Sequence, residues 1–329
     1  MAIELFDCTL RDGGSVTGGG ATIDTTVTVT EGLIANGLKR IEVGITYGMG
    51  DSHKLCAPGT PTDDEYIAAV KPYMDKAGIG MFFQPKFGNR SHLEKIKDAG
   101  MTFVRIGTNV GEVAKAEEML RASRDVGLET RFSLMKAWAT TAEKLAEDAR
   151  AVEGYGAEFI HIMDSTGSFM PDEVERYCEI VGKAVKVRVG FHGHNNLGLS
   201  VANAMAAYRT GIEVLDCSLC GFARSAGNAP TEMLAVVFQR LGVETGVDVF
   251  GLLEFIEKKG AASLGAENFV PALDVVFGMA GFHSSFMKLA RAAAEKEGVS
   301  LHKVIWEACR INKIDPDAAV FEEAAKRAK

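Results

Sequence analysis

Short runs rich in β-branched and aromatic residues recur along the chain, each followed by a stretch with helical periodicity. Eight runs are expected as strands, at residues 3–8, 40–45, 79–84, 103–107, 129–135, 159–163, 187–192 and 214–219. Helical stretches are expected between them at 25–36, 63–77, 91–99, 113–126, 142–155, 171–185 and 200–210, with an eighth near 230–241. Eight strand-helix units in strict alternation predict the α/β class, a (β/α)8 TIM barrel whose active site lies in the loops after the strands. From about Val243 the strand signal stops, and helical runs remain at 250–258, 285–296 and 301–310. The expected organisation is a barrel over 1–245 and a smaller helical C-terminal domain over 246–329.

Alternation inside the strands separates two faces. Ile41, Val43, Val104, Ile106, Phe132, Leu134, Val189, Phe191, Leu215 and Leu219 share one face, which must pack on the helices. Asp7, Glu42, Arg105, Ser133, His192, Asp216 and Ser218 are left to point into the barrel. A structural interior is normally filled by Val, Ile and Leu. Charges recurring there favour a functional interior, because buried charges are paired or used.

Composition narrows the class further. With 47% apolar residues among 329 the chain can bury a large core. No window approaches the roughly 20 apolar residues of a membrane span. The start of the chain carries no signal-peptide pattern before Glu4, which predicts a soluble cytoplasmic protein. Thirty-six Lys and Arg against 44 Asp and Glu give a net charge of −8, which argues against nucleic acid as a partner. Six dispersed cysteines read as reduced thiols, and Cys217-x-x-Cys220 lacks the second pair that a zinc site would need.

The strongest local signal is Phe191-His192-Gly193-His194-Asn195-Asn196. On a strand end His192 and His194 project to the same side about 7 Å apart, a platform for a metal ion. A third ligand should come from another strand end. Thr9-Leu10-Arg11-Asp12-Gly13-Gly14 supplies Asp12 as a hard oxygen and Arg11 as a fork for a carboxylate, with the two glycines permitting close approach to a ligand. Gly18-Gly19-Gly20 reads as a mobile connection or lid hinge. His92, His161 and His302 read as structural or solvent-facing.

Asp7-Cys8-Thr9-Leu10-Arg11-Asp12-Gly13, the strand containing Glu42, His192 to Gly198 and Ala226-Gly227-Asn228-Ala229-Pro230 together resemble the DRE-TIM metallolyases (the HMGL-like superfamily). That superfamily includes hydroxymethylglutaryl-CoA lyase, isopropylmalate and homocitrate synthases, and pyruvate-forming aldolases. The similarity is greatest to the 4-hydroxy-2-oxovalerate aldolase branch, and it extends to Gly278-Met279-Ala280-Gly281-Phe282-His283-Ser284-Ser285-Phe286 in the tail.

The resemblance implies an aldehyde-lyase that cleaves or forms a carbon–carbon bond through pyruvate enolate. It implies a divalent cation, usually Mn²⁺, held by Asp12, His192 and His194, with Asn228 near it. Mixed oxygen and nitrogen ligands also suit Mg²⁺, Co²⁺ or Zn²⁺. Arg11 would face the enolate, Ser165 would hold the 2-oxo acid's carboxylate, and Glu42 and His53 would lie on the substrate side, His53 toward the aldehyde. The chain departs from the family pattern where protons move: Ser15 replaces a histidine and His283 a tyrosine. A histidine can titrate near pH 7 and a serine is a poor base, so either His283 takes over proton transfer or the two changes together reflect a different substrate. The implied partners are a small 2-oxo acid and an aldehyde, an acylating aldehyde dehydrogenase, and further copies of the chain in a homo-oligomer.

Three other readings share this fold. A Schiff-base aldolase would need a desolvated lysine, with Lys86 and Lys136 as the candidates. An acyl-CoA-dependent Claisen-type synthase, or an aldolase-like condensing enzyme of a biosynthetic pathway, would use the same Asp/His/His set. A biotin-linked carboxyltransferase would be expected to place a metal-binding lysine after the sixth strand, where Asp164-Ser165-Thr166-Gly167 has none.

Overall fold

The computed structural model describes residues 3–267, 269–312 and 314–329. Its strands are β1 (Glu4–Asp7), β2 (Arg40–Val43), β3 (Gly78–Phe83), β4 (Phe103–Asn109), β5 (Glu129–Met135), β6 (Phe159–Asp164), β7 (Arg188–Gly193) and β8 (Val214–Cys217). Each pairs in parallel with the next, and β8 returns to β1 to close the ring. The eight expected strands are all present, differing only at their ends.

The surrounding helices are α1 (Ile23–Ala35), α2 (Asp63–Val70), α3 (Arg90–Asp98), α4 (Glu117–Asp125), α5 (Ala142–Tyr155), α6 (Pro171–Ala184), α7 (Ser200–Arg209) and α8 (Thr231–Arg240). Their starts are chemically marked: Thr22, Thr62 and Thr141 each accept a backbone N–H from the first turn, Thr62 in a reciprocal pair with Glu65. The stretch expected as one helix over 63–77 stops at Val70 and tightens to a 3-10 turn at Lys71–Tyr73, where Pro72 has no N–H to continue an α-helix.

Beyond the barrel come α9 (Val249–Phe255), α10 (Ala272–Ala280), α11 (Met287–Glu297), α12 (Leu301–Ile311) and α13 (Ala318–Arg327). The sequence pattern had not marked α10 and α13. Phe282 gathers Phe277, Phe286 and Phe321 at the centre of this layer. The layer is tied to the barrel by Asp248 N–H on the Asn36 carbonyl at 3.0 Å, the Thr25 hydroxyl on Ser263 at 3.0 Å and Arg240 on Gly278. No helix among the described residues is long and apolar enough to cross a membrane.

The barrel interior is polar, as the alternation implies. Arg105 is completely buried and bonds both oxygens of Glu42 and one of Asp216. Nearer the amino-terminal ends of the strands, Arg131 bonds Glu4 and Glu129 and packs on Phe159, its guanidinium 4.2 Å from the ring centre. Asp7 departs from the expected inward set. Phe6 takes the inward place, against Phe103 and Arg105, while Asp7 accepts from Thr231 at the start of α8. Successive strand residues point to opposite faces, so one inward position excludes the next.

Removing Arg105 would leave Asp216 with no arginine partner and Glu42 with Arg11 alone, both still buried. Arg105→Met is therefore expected to cost about 3–5 kcal/mol in urea denaturation, the range for breaking a buried pair from one side. A loss below about 1 kcal/mol would show that the interior tolerates the two buried acids without Arg105.

Candidate active site

The segment after β1 folds as a helical turn, Thr9–Asp12, followed by a 3-10 turn at Gly13–Ser15. Thr9 starts it by donating its N–H to Asp7 and accepting the Leu219 N–H on its hydroxyl oxygen. The turn directs Arg11 and Asp12 into the carboxyl-terminal mouth of the barrel, where both are buried. Gly13 and Gly14 serve the protein's own packing here, not a ligand: a Cβ on Gly13 would strike the Phe222 ring and one on Gly14 would meet Gly20. Gly18 to Gly20 are likewise closely packed, against Ala57, Cys56 and Tyr66, and Gly19 bonds Gly14 and Thr46 through its backbone. The structure thus gives that stretch close packing in place of the expected hinge.

His192 and His194 leave the end of β7 on one side, as their spacing predicts. His192 Nε2 lies 3.6 Å and His194 Nε2 3.7 Å from Asp12 Oδ2, and a ligand atom from each of the three lies within 4.8 Å of the others. Asp216 sits 3.0 Å from His192 Nδ1. A carboxylate there draws the proton to Nδ1 and leaves the Nε2 lone pair facing Asp12, the tautomer a metal ligand needs. His192 Nε2 and His194 Nδ1 are buried without a hydrogen-bond partner. Asn228 donates to Asp12 Oδ2 at 2.9 Å and to Ser218, and its own Oδ1 is buried and unpartnered. A buried cluster of one carboxylate, two imidazoles and an amide oxygen, with acceptor atoms left unsatisfied, fits a divalent cation.

The charges are set by neighbours. Burial alone would raise Asp12, but Arg11, His192, His194 and Asn228 outweigh it and hold the carboxyl well below the usual range. Burial, aided by the charge of His192, pushes His194 down to about 3, so its imidazole is neutral. Glu42 and Asp216 are also held low, by Arg105 with Arg11 in one case and Arg105 with His161 in the other, against the effect of burial. Burial drives the Cys8 thiol well above its ordinary value.

The remaining candidates divide. Arg11 gives Nε to Glu42 at 2.6 Å and Nη1 to Asp12 at 2.9 Å, leaving Nη2 buried and unpartnered. Glu42 has both oxygens committed to arginines, so it orients Arg11 and has no free oxygen for a substrate. The Ser165 hydroxyl accepts the Lys136 N–H at 2.9 Å. Ser15 bonds the Asp12 carbonyl and lines a cavity of about 930 Å³ together with Asn195, Phe222, Arg224, Glu232 and Met233. His53 is outside that lining and bonds Thr60 of its own loop. His283 is exposed, and its hydrogen-bond partner is Ser285 in its own turn.

His161, read as structural or solvent-facing, takes a structural place, whereas the position of Arg224 was not legible beforehand. His161 is buried in the barrel and bonds Asp216 at 2.8 Å, a structural place at the centre of the network. Arg224, on an aperiodic loop, meets His194 and Ser165; only its proximity to Asn228 in the chain could have flagged it.

Residues 2–257 match the HMGL-like family model. The chain is 33% identical over 325 residues to 4-hydroxy-2-oxovalerate aldolase 4 of Paraburkholderia xenovorans (strain LB400), covering 98% of this chain and 94% of that one. It is 34% identical, with the same coverage, to 4-hydroxy-2-oxovalerate aldolase of Leptothrix cholodnii (strain ATCC 51168 / LMG 8142 / SP-6). Among solved structures, hydroxymethylglutaryl-CoA lyase from Pseudomonas aeruginosa superposes with a TM-score of 0.72 at 21% identity, over 84% of this chain and 98% of that one, a likeness of fold.

Two buried acids beside the site carry a stability signature. Burial raises Glu232 to about 7 and Asp7 to about 6. Each favours its protonated form in the folded state, so its contribution is full below the unfolded pKa and is lost as pH rises through the folded one. Glu232 is expected to contribute a falling slope of stability between about pH 4.5 and 7, on the order of 3 kcal/mol, opposed by the rising contribution of the depressed His194. Glu232→Gln should flatten that slope in urea denaturation; an unchanged slope would remove Glu232 as its source.

Proposed function

The chain belongs to the HMGL-like family, and on that premise we propose that it is a divalent-metal-dependent aldolase that interconverts a 4-hydroxy-2-oxo acid with pyruvate and an aldehyde. The observation that carries this reading is the convergence of Asp12, His192 and His194, with unsatisfied acceptors, beside the buried free donor of Arg11. Similarity over nearly the whole length to 4-hydroxy-2-oxovalerate aldolases supports the same class of carbon–carbon lyase. Mn²⁺ is the ion we assign, since a hard carboxylate with two imidazoles suits it.

A divalent cation at these three residues would supply Lewis-acid polarisation of the 2-oxo group. The chain's own part is to hold charge and geometry. Asp216 fixes the ring of His192, and Glu42 fixes Arg11 so that its free Nη2 is available to an oxyanion developing next to Asp12. The buried mouth excludes water from these groups, which strengthens each interaction. Lys86 and Lys136 are both exposed, whereas a Schiff-base lysine must be desolvated.

Proton transfer at the 4-hydroxyl is assigned to His283, the basic member of the two positions at which the chain departs from the aldolase pattern. The assignment requires the turn around His283 to approach the cavity when substrate binds, because its present partner is local.

Chelator treatment is expected to abolish pyruvate-forming cleavage, with Mn²⁺ restoring it, and Asp12→Asn should lower kcat/KM at least 100-fold. Full activity in chelator, or pyruvate trapped on the protein by borohydride, would overturn the metal reading. For the proton, His283→Ala should lose at least tenfold in kcat and Ser15→Ala less; turnover within twofold of wild type would take His283 out of the mechanism.

A further inference from the structure

The carboxylate of a 2-oxo acid needs a positive partner, and the charges of the two buried arginines are already matched by acids. Arg11 and Arg105 together face Asp12, Glu42 and Asp216, so two guanidinium groups are set against three carboxylates. The residue expected to take the substrate's carboxylate, Ser165, can offer one O–H donor and brings no charge; its oxygen accepts the Lys136 N–H.

Arg224 answers this shortage. It stands on the loop between β8 and α8, and its Nη2 donates to the Ser165 carbonyl at 2.6 Å and to His194 Nε2 at 3.0 Å. Among the described residues no carboxylate is paired with it, and it is the one basic side chain lining the cavity of about 930 Å³ that opens beside Ser15 and Asn195. A guanidinium is always charged and presents five donors in a planar fork suited to a carboxylate. Its hold on His194 is also informative. A guanidinium only donates, so the bonded Nε2 must offer its lone pair, and that same nitrogen faces Asp12 Oδ2. One lone pair cannot serve both a metal ion and an arginine.

We propose that Arg224 is the receptor for the substrate's carboxylate, held on His194 until a divalent cation takes that nitrogen and then left on its Ser165 anchor with its free donors available to the 2-oxo acid. This rests on the aldolase reading and names how that site recognises its acid. Arg224 is a substrate-binding residue in this scheme, and the order of events follows from the shared lone pair: metal first, then acid.

The test is calorimetric titration of pyruvate and of its uncharged amide, pyruvamide, into Mn²⁺-loaded wild type, Arg224→Ala and Arg224→Lys. The alanine variant is expected to lose at least 30-fold in pyruvate affinity and less than threefold for pyruvamide, with lysine restoring part of the loss. In the chelator-treated proteins, Mn²⁺ should bind Arg224→Ala more tightly than wild type, because the competing donor is gone. Equal losses for both ligands, no loss for pyruvate, no pyruvate binding by wild type, or weaker Mn²⁺ binding in the variant would each overturn the proposal. Thermal melts of the variants separate recognition from folding. Cleavage of 4-hydroxy-2-oxo acids by wild type is scored separately: Arg224-dependent pyruvate binding without any such cleavage would sink the aldolase reading and leave the carboxylate receptor standing.

Discussion

The guanidinium of Arg105 is the constraint on which the site depends. It lies inside the ring of strands with no exposure and joins Glu42 on β2 to Asp216 on β8. From Glu42 the chain of contacts runs to Arg11 and on to Asp12; from Asp216 it runs to His192. Two of the three candidate ligands are therefore oriented by one buried cation. Placing these charges out of water is expensive, and an apolar core of the same volume would often be at least as stable. What the arrangement provides is fixed dipoles that need not reorganise when charge develops next to them.

Much of this was legible in the amino-acid order, and the reason is periodicity. A strand repeats every two residues and a helix every 3.6, so the eight units and the inward places of Glu42, Arg105, His192 and Asp216 follow from counting. His192-x-His194 was readable for the same reason, as two side chains on one face of a strand end. Asp12 and Asn228, 216 positions apart yet 2.9 Å from each other, could be joined only through the barrel hypothesis and the resemblance it supported.

What escaped the sequence lacked a period or was decided by a competing partner. Asp7 looked like another inward acid, but Phe6 fills the interior beside Arg105 and Arg131, which turns Asp7 toward Thr231. Gly13, Gly14 and Gly18 to Gly20 signalled freedom in the chain and turned out to be points of contact, since a missing side chain also marks where something else comes close. Arg224 belongs to a loop, and loop residues acquire meaning only from what the rest of the fold places next to them.

The closure of β8 on β1 has a consequence for the protein's biogenesis. Asp12 follows directly on the first barrel strand, whereas His192, His194 and Asn228 come only after most of the barrel has been synthesised. A nascent chain still lacking its last strands carries isolated ligands and no pocket in which to gather them. Gathering of the proposed ion's candidate ligands is thereby coupled to completion of the ring. Long-range closure of this kind slows folding, because the ends must find each other before their contacts stabilise anything. In exchange, the appearance of the ligand set reports that the whole barrel has been assembled.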